Sequence, residues 1–266
     1  MRAARVRQTP LFISAFLCLL TVAAGAHAQG PGRLNSDESS VDGANQANSA
    51  KPSAAANTAD ASTVSVHELS IPSSAQKAFD KGRQLLLDQH RAADSLAAFR
   101  KAVQMAPAFW EAHFLLGIAY MDLRKWSDAE GSLVRAIAFN DGLAPAYLAL
   151  GSCLLEEGKY SEAEQQLLKG LELNPDAPHG HYDLSRTYYA LRRFEDAKLR
   201  ALKAIDLEPP RADVHFLLGT ILLSLGDRPG ALAQFQECLG LVPDTRLAAL
   251  AQGQVNQVQS KEVSAR

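Results

Sequence analysis

An all-α solenoid of five helical hairpins closed by a C-terminal capping helix is the fold class this sequence predicts. Three observations predict it. Side chains recur at a fixed spacing of 34 residues, apolar residues fall at helical intervals in two stretches of every period, and a turn or a proline separates one stretch from the next. The clearest columns are Leu116-Gly117, Leu150-Gly151, Leu184-Ser185 and Leu218-Gly219. Three residues after the Gly or Ser come Tyr120, Leu154, Tyr188 and Leu222. Later in each period stand Trp126, Tyr160 and Phe194, then Ala129, Ala163, Ala197 and Ala231, then Leu133, Leu167, Ala201 and Phe235. Pro107, Asp141, Pro175, Pro209 or Pro243 stands near the end of each.

The chain has 266 residues, 27 Lys and Arg against 29 Asp and Glu, a formal charge of −2 and 47% apolar residues, enough to bury the core of one or two domains. It lacks the basic excess that draws proteins onto nucleic acid or anionic lipid. Three cysteines exclude a disulfide-dense scaffold.

Residues 1–28 read as an export signal. Arg2, Arg5 and Arg7 give a positive start, residues 11–24 form an apolar run, and Ala26-His27-Ala28 presents the small residues a signal peptidase selects, so cleavage before Gln29 is expected. The run is shorter than the roughly 20 apolar residues a membrane-spanning helix needs. Cys18 lacks the small residue that a lipidated cysteine has before it, since Leu17 stands there. Cleavage removes three arginines and leaves Cys153 and Cys238, which the repeat places about two periods apart. That is beyond the roughly 7 Å Cα separation a disulfide bridges, so both are expected as buried thiols.

Residues 29–74 are rich in Ala, Ser, Asn, Asp and Gly, and between Asn35 and Thr63 the single large aliphatic residue is Val41. A disordered leader is expected, serving as tether or spacer. Val64, Val66, Leu69 and Ile71 restore apolar side chains before Pro72 and suggest an extended segment laid on the first helix.

The periodic region divides into units 76–109, 110–143, 144–177, 178–211 and 212–245. Within a unit, Phe114, Leu115, Ile118 and Met121 fall at helical spacing, and so do Leu133, Val134, Ile137 and Phe139, which makes each unit a helical hairpin. Ser127-x-x-Glu130 and Ser161-x-x-Glu164 have the form of capping boxes, placing the start of each second helix there. Small residues in the Gly and Ala columns let the paired helices approach. A lone hairpin leaves an apolar face wet, so its stability must come from stacking. Unit 1 departs with Gly82-Arg83 where the others have Leu followed by Gly or Ser, and with Ser95 in the Ala column. Unit 2 ends in Asp141, and unit 5 has Arg228 in the aromatic column. Leu247, Leu250, Ala251, Val255 and Val258 predict a capping helix over 246–258, with residues 259–266 as a disordered tail.

The pattern resembles the tetratricopeptide repeat family, whose W-x2-L-G-x2-Y…A-x3-F…P signature is matched over 76–245. The resemblance implies a right-handed superhelix in which the first helix of each unit lines a concave groove that binds peptides or partner helices. By register it directs Phe114, Ile118, Met121, Leu148, Ser152, Tyr182, Arg186, Tyr189, Phe216 and Thr220 toward that groove as partner-binding residues. Members that grip a C-terminal carboxylate use Lys, Asn and Arg on these helices. Here the corresponding residues are Asp80, Gln84, Leu115, Pro145 and Ala149, so that clamp is missing. The expected partner is an amphipathic helix or an extended apolar peptide, with Arg186 available for one carboxylate or aromatic face.

No chemistry of another kind is expected. His113, His181 and His215 share a slot that Phe79 and Tyr147 fill elsewhere, which points to packing, and His179 and His181 are two apart on a helix, so they face different ways. No zinc site, cofactor, phosphate loop or catalytic residue is predicted, and the chain is not expected to be an enzyme. The reading is a non-catalytic protein-interaction scaffold, periplasmic or secreted, with no nucleic-acid partner and no membrane insertion after cleavage. The sequence leaves the oligomeric state open. The alternative is a membrane-tethered structural component of an envelope assembly, with the uncleaved signal as anchor.

Overall fold

A computed structural model describes residues 71–208, 211–243 and 245–264, and the first helix of unit 1 begins at Ser73, so residues 73 and 74 are helical rather than part of a disordered leader. The expected signal, Val64, Val66, Leu69 and the rest of 29–70 lie outside the described residues. All regular structure among those described is helical. The first helices of the five units are α1 (Ser73–Arg83), α3 (Trp110–Asp122), α5 (Ala144–Glu156), α7 (Pro178–Ala190) and α9 (Ala212–Ser224). The second helices are α2 (Ala92–Met105), α4 (Trp126–Phe139), α6 (Tyr160–Leu173), α8 (Phe194–Leu207) and α10 (Arg228–Leu241). The last helix is α11 (Arg246–Ser264). It packs on α9 and α10 and buries Ala248, Ala251, Val255 and Val258. It also runs on to Ser264, so residues 259–264 are helical rather than a tail.

Each hairpin is closed by one kind of contact. The Gly of the first helix lies directly beneath a large side chain of the second: a Cβ on Gly117 would stand 2.7 Å from Leu133, on Gly151 2.5 Å from Leu167, and on Gly219 2.7 Å from Phe235. Unit 4 solves the same space the other way round. Ser185 replaces the glycine, Ala201 replaces the large residue, and the Ser185 hydroxyl donates to the Ala197 carbonyl at 2.7 Å.

Unit 1 reaches this contact by a register shift that the spacing did not reveal. Gly82, one residue early in the 34-residue count, takes the glycine role against Phe99, with a Cβ clearance of 2.7 Å. Phe79 thereby joins the column of Phe114 and Phe216, not that of the histidines. It packs on Phe99 at a ring separation of 6.0 Å, as Phe216 packs on Phe235 at 5.6 Å. The surplus residue is absorbed by a π-helical turn, Gln84–Asp88, which restores the register before α2.

The connections repeat as well. His90, Arg124, Gly158, Arg192 and Gly226 occupy the same turn position, and all have positive φ. Around each of the last four, two backbone N–H groups fold back onto the preceding helix, as in Arg124 N–H to Met121 O at 2.9 Å and Lys125 N–H to Tyr120 O at 2.9 Å. The second helix then starts at once, at Trp126 and Tyr160, so Ser127 and Ser161 lie inside it and the expected capping boxes do not form. Their glutamates serve another purpose. Glu130 accepts from Lys159 and Glu164 from Arg193, both at 2.7 Å, joining each second helix to the turn of the next unit. Asp227 is the one side chain that caps the N-terminus of a second helix among those described, accepting from the Gly230 N–H at 2.9 Å.

Cys153 and Cys238 are free, buried thiols. Burial pushes the Cys153 pKa up to about 12, with the Glu157 and Glu130 charges adding to the effect. That leaves it an inert packing group.

The glycine contact makes a double-mutant prediction. Gly151→Ala should cost about 1–3 kcal/mol by overpacking, and Leu167→Ala about 2–5 kcal/mol by cavity formation. The pair together should cost clearly less than the two losses combined, since unit 4 already packs small against small. Urea unfolding of the four chains measures the coupling.

Candidate functional site

Curvature decides which face is open to a partner. Successive first helices touch one another, α3 on α5, α5 on α7 and α7 on α9, and no two second helices meet to a comparable extent. First helices therefore line the inside of the bend.

On that inner side the structure divides the ten expected groove residues into two sets. Phe114, Ile118, Met121, Leu148 and Ser152 are buried, each no more than 5% exposed, and they pack as part of the stack instead of lining an open groove. Leu148 shows the reason. It fills a space created by two glycines: a Cβ on Gly170 would lie 2.6 Å from it and one on Gly180 2.8 Å. The Ser152 hydroxyl lies within hydrogen-bond reach of the Leu148 carbonyl at 3.0 Å and of Asp183 across the unit boundary, and its single proton serves these two acceptors. The second set, Tyr182, Arg186, Tyr189, Phe216 and Thr220, is half-buried along α7 and α9. Of these, Tyr189 leans on Phe194 at a ring separation of 5.6 Å and Phe216 on Phe235 at 5.6 Å.

The charges on this surface are already paired. Arg186 donates to Glu156 at 2.7 Å and to Asp183 at 3.3 Å, so it is not free for a ligand carboxylate, contrary to the sequence expectation. Burial disfavours its charged form, but Asp183, Tyr182 and Glu156 outweigh burial, and its pKa is raised further. Arg211 grips Asp213 through two nitrogens, at 2.7 and 3.2 Å, and gives a third N–H to His179 Nδ1 at 2.6 Å. Both guanidinium carbons stand over the Tyr182 ring, Arg186 at 5.8 Å and Arg211 at 5.2 Å. Sequence reading missed Glu156, His179, Asp183, Arg211 and Asp213. The available signal was the 30-residue step from Glu156 to Arg186, which joins the last residue of one first helix to the middle of the next.

The histidines serve the scaffold. His113 Nε2 meets the Pro107 carbonyl and His181 Nε2 the Pro175 carbonyl, both at 2.9 Å, so each ties a first helix to the loop of the preceding unit. His215 instead meets Gln234 at 2.8 Å. Among the described residues no group of His, Cys, Asp or Glu converges as metal ligands would.

A second concavity lies on the outer side between α2 and α4, about 520 Å³, with Arg100, Tyr120 and Arg135 among its walls. Gly131 and Ser132 open it, in the place of Gln165 and Gln166 one unit on. Arg100 is committed to the Tyr120 hydroxyl at 2.7 and 3.0 Å.

The titrating groups carry a sign. Burial holds His113, His179 and His181 below the ordinary histidine value, with the Arg211 charge adding to the effect at His179. The unfolded chain therefore takes up protons that the folded chain refuses, and stability is full above pH ~6.5 and declines as pH falls below it. Asp122, which burial pushes up to about 7, acts in the opposite direction, because the unfolded carboxyl ionises first as pH rises from ~4 to ~7. Relative to the parent chain, the urea midpoint of Asp122→Asn should fall further between pH 7 and pH 5, because the opposing contribution is gone. In His179→Gln, which keeps an acceptor for Arg211, the midpoint at pH 5 relative to pH 7 should be higher than in the parent chain.

With the geometry established, comparison with known proteins places the chain. One tetratricopeptide-repeat family model matches residues 84–145 and 182–256, and a second matches 154–201. No curated protein sequence matches. Among solved structures, MamA from Desulfovibrio magneticus RS-1 is similar at 19% identity and a TM-score of 0.60, covering 66% of this chain and 99% of its own. A thermophilic tetratricopeptide-repeat protein of Thermus thermophilus aligns at 22% identity and a TM-score of 0.55, covering 68% of this chain and 98% of its own. YrrB, described as a repeat protein with an unusual peptide-binding site, aligns at 18% and 0.57, covering 71% and 98%. These likenesses show the shared superhelical fold, and the family-model matches extend over half of the sequence. The chain belongs to the tetratricopeptide repeat family.

Proposed function

We propose that this protein is a non-catalytic interaction scaffold, exported to the periplasm or beyond, that holds a peptide or an amphipathic helix of a partner protein along its inner face. The observation that carries the reading is the half-buried row of Tyr182, Arg186, Tyr189, Phe216 and Thr220 on α7 and α9. Tyr and Arg are enriched among interface hot spots, and a paired, ring-stacked arginine is already ordered before a partner arrives. YrrB, with its peptide-binding site, lends support by analogy of fold. Export rests on the three arginines, the apolar run and Ala26-His27-Ala28 at the N-terminus.

A photo-crosslinking amino acid at Tyr189 or Phe216 should give a discrete adduct in the native host, and one at the outward-facing Gln165 should not. Adducts from the outer position alone would contradict the inner-face reading. Intact mass of the purified protein decides the export reading: loss of residues 1–28 supports a free scaffold, and their retention supports a tethered component of an envelope assembly.

A further inference from the structure

Among the described residues, Asp122 on the inner face is an ionisable group for which the fold provides no counterion. The first helices end in Asp122, Glu156, Ala190 and Ser224, one per unit from unit 2 to unit 5. Glu156 reaches forward into the next unit and receives Arg186 at 2.7 Å. The same step from Asp122 lands on Ser152, because 30 residues separate both pairs. Ser152 has no charge to offer, and its hydroxyl is engaged with the Leu148 carbonyl and Asp183. Both carboxylate oxygens of Asp122 are accordingly buried without a hydrogen-bond partner. Its neighbours in α3, Ile118 and Met121, are buried and apolar, as is Leu155 beside Glu156 on the next first helix. Leaving a carboxylate dry and unpaired is strongly unfavourable unless a cation or a proton reaches it.

We propose that Asp122, half-buried at the C-terminal end of α3 just beyond the residues of units 2 and 3 that are closed into the stack, anchors a lysine or arginine side chain of a peptide lying on the inner face, the incoming cation taking the place there that Arg186 fills between units 3 and 4. This rests on the inner-face reading given above and names the partner's chemistry: an apolar segment carrying a basic residue. The surrounding charge agrees, since Glu156, Asp183 and Asp213 exceed Arg186 and Arg211 on the same face. A free carboxyl held near pH 7 also makes binding proton-linked: the cation selects the ionised form, so affinity rises with pH.

The test uses the purified full chain and two acetylated, amidated twelve-residue Leu/Ala peptides, one with a central arginine and the other with neutral citrulline in its place. At pH 8 the arginine peptide should bind at least tenfold tighter than its twin. At pH 6 that preference should shrink by roughly five- to tenfold, as a group titrating near 7 becomes mostly protonated. Asp122→Asn should remove the preference and its pH dependence, and Asp122→Glu should keep both. Equal binding of the two peptides overturns the anchor and leaves the inner-face reading standing. Binding of neither overturns both. Carbon-13 NMR gives an independent readout in the peptide-free protein: an Asp122 carboxyl titrating near 7 shows the dry, unpaired group that the proposal needs. A value near 4 means that water already solvates the carboxyl, and one well below 4 that a cation of the chain pairs with it; either result overturns the proposal.

Discussion

Everything in this molecule depends on how closely the two helices of a hairpin can approach. The contact that sets the distance is a glycine backbone beneath the side chain of Phe99, Leu133, Leu167 or Phe235, or a serine bonded to the Ala197 carbonyl. With that distance fixed, Ala129, Ala163, Ala197 and Ala231 are completely buried at the crossing. The hairpin presents a flat apolar side to its neighbour, and stacking becomes the means of removing it from water. The curvature that places first helices inside, and so the face a partner meets, follows from the same packing repeated five times.

Between units the fold uses polar ties at recurrent positions. Histidine nitrogens meet the Pro107 and Pro175 carbonyls, and the turn cations Lys159 and Arg193 reach back to Glu130 and Glu164. Exposed pairs of this kind contribute only about 0–1 kcal/mol each. Their value lies in fixing the rotation of one hairpin on the next. The inner face inherits that order: the Glu156, Asp183 and Arg186 group and the His179, Arg211 and Asp213 group each join successive first helices or the loop between them.

The fold was legible in the sequence because a 34-residue period records the packing directly. What stayed hidden was set by single contacts. Gly82 is out of step by one residue, and nothing in the spacing announces the π-turn that corrects it. The serine of each expected capping box sits two residues too late, because the left-handed residues at Arg124 and Gly158 let the second helix begin early. The inner face was half legible. Tyr182, Arg186, Tyr189, Phe216 and Thr220 remain half-buried, but Leu148 vanishes into the space left by Gly170 and Gly180, which belong to other helices. Burial of that kind depends on residues far along the chain, and a single column cannot report it. The isolation of Asp122 is a similar case, visible once Glu156 and Arg186 show what its partner should have been.

Stability in such a stack is transmitted from unit to unit and belongs to no hairpin alone. Urea unfolding of chains truncated after α4, α6, α8, α10 and α11 tests this most directly. Midpoint and slope should both climb with each added unit, with the shortest chain unfolded or barely folded in water. A two-unit chain as stable as the complete stack would contradict it.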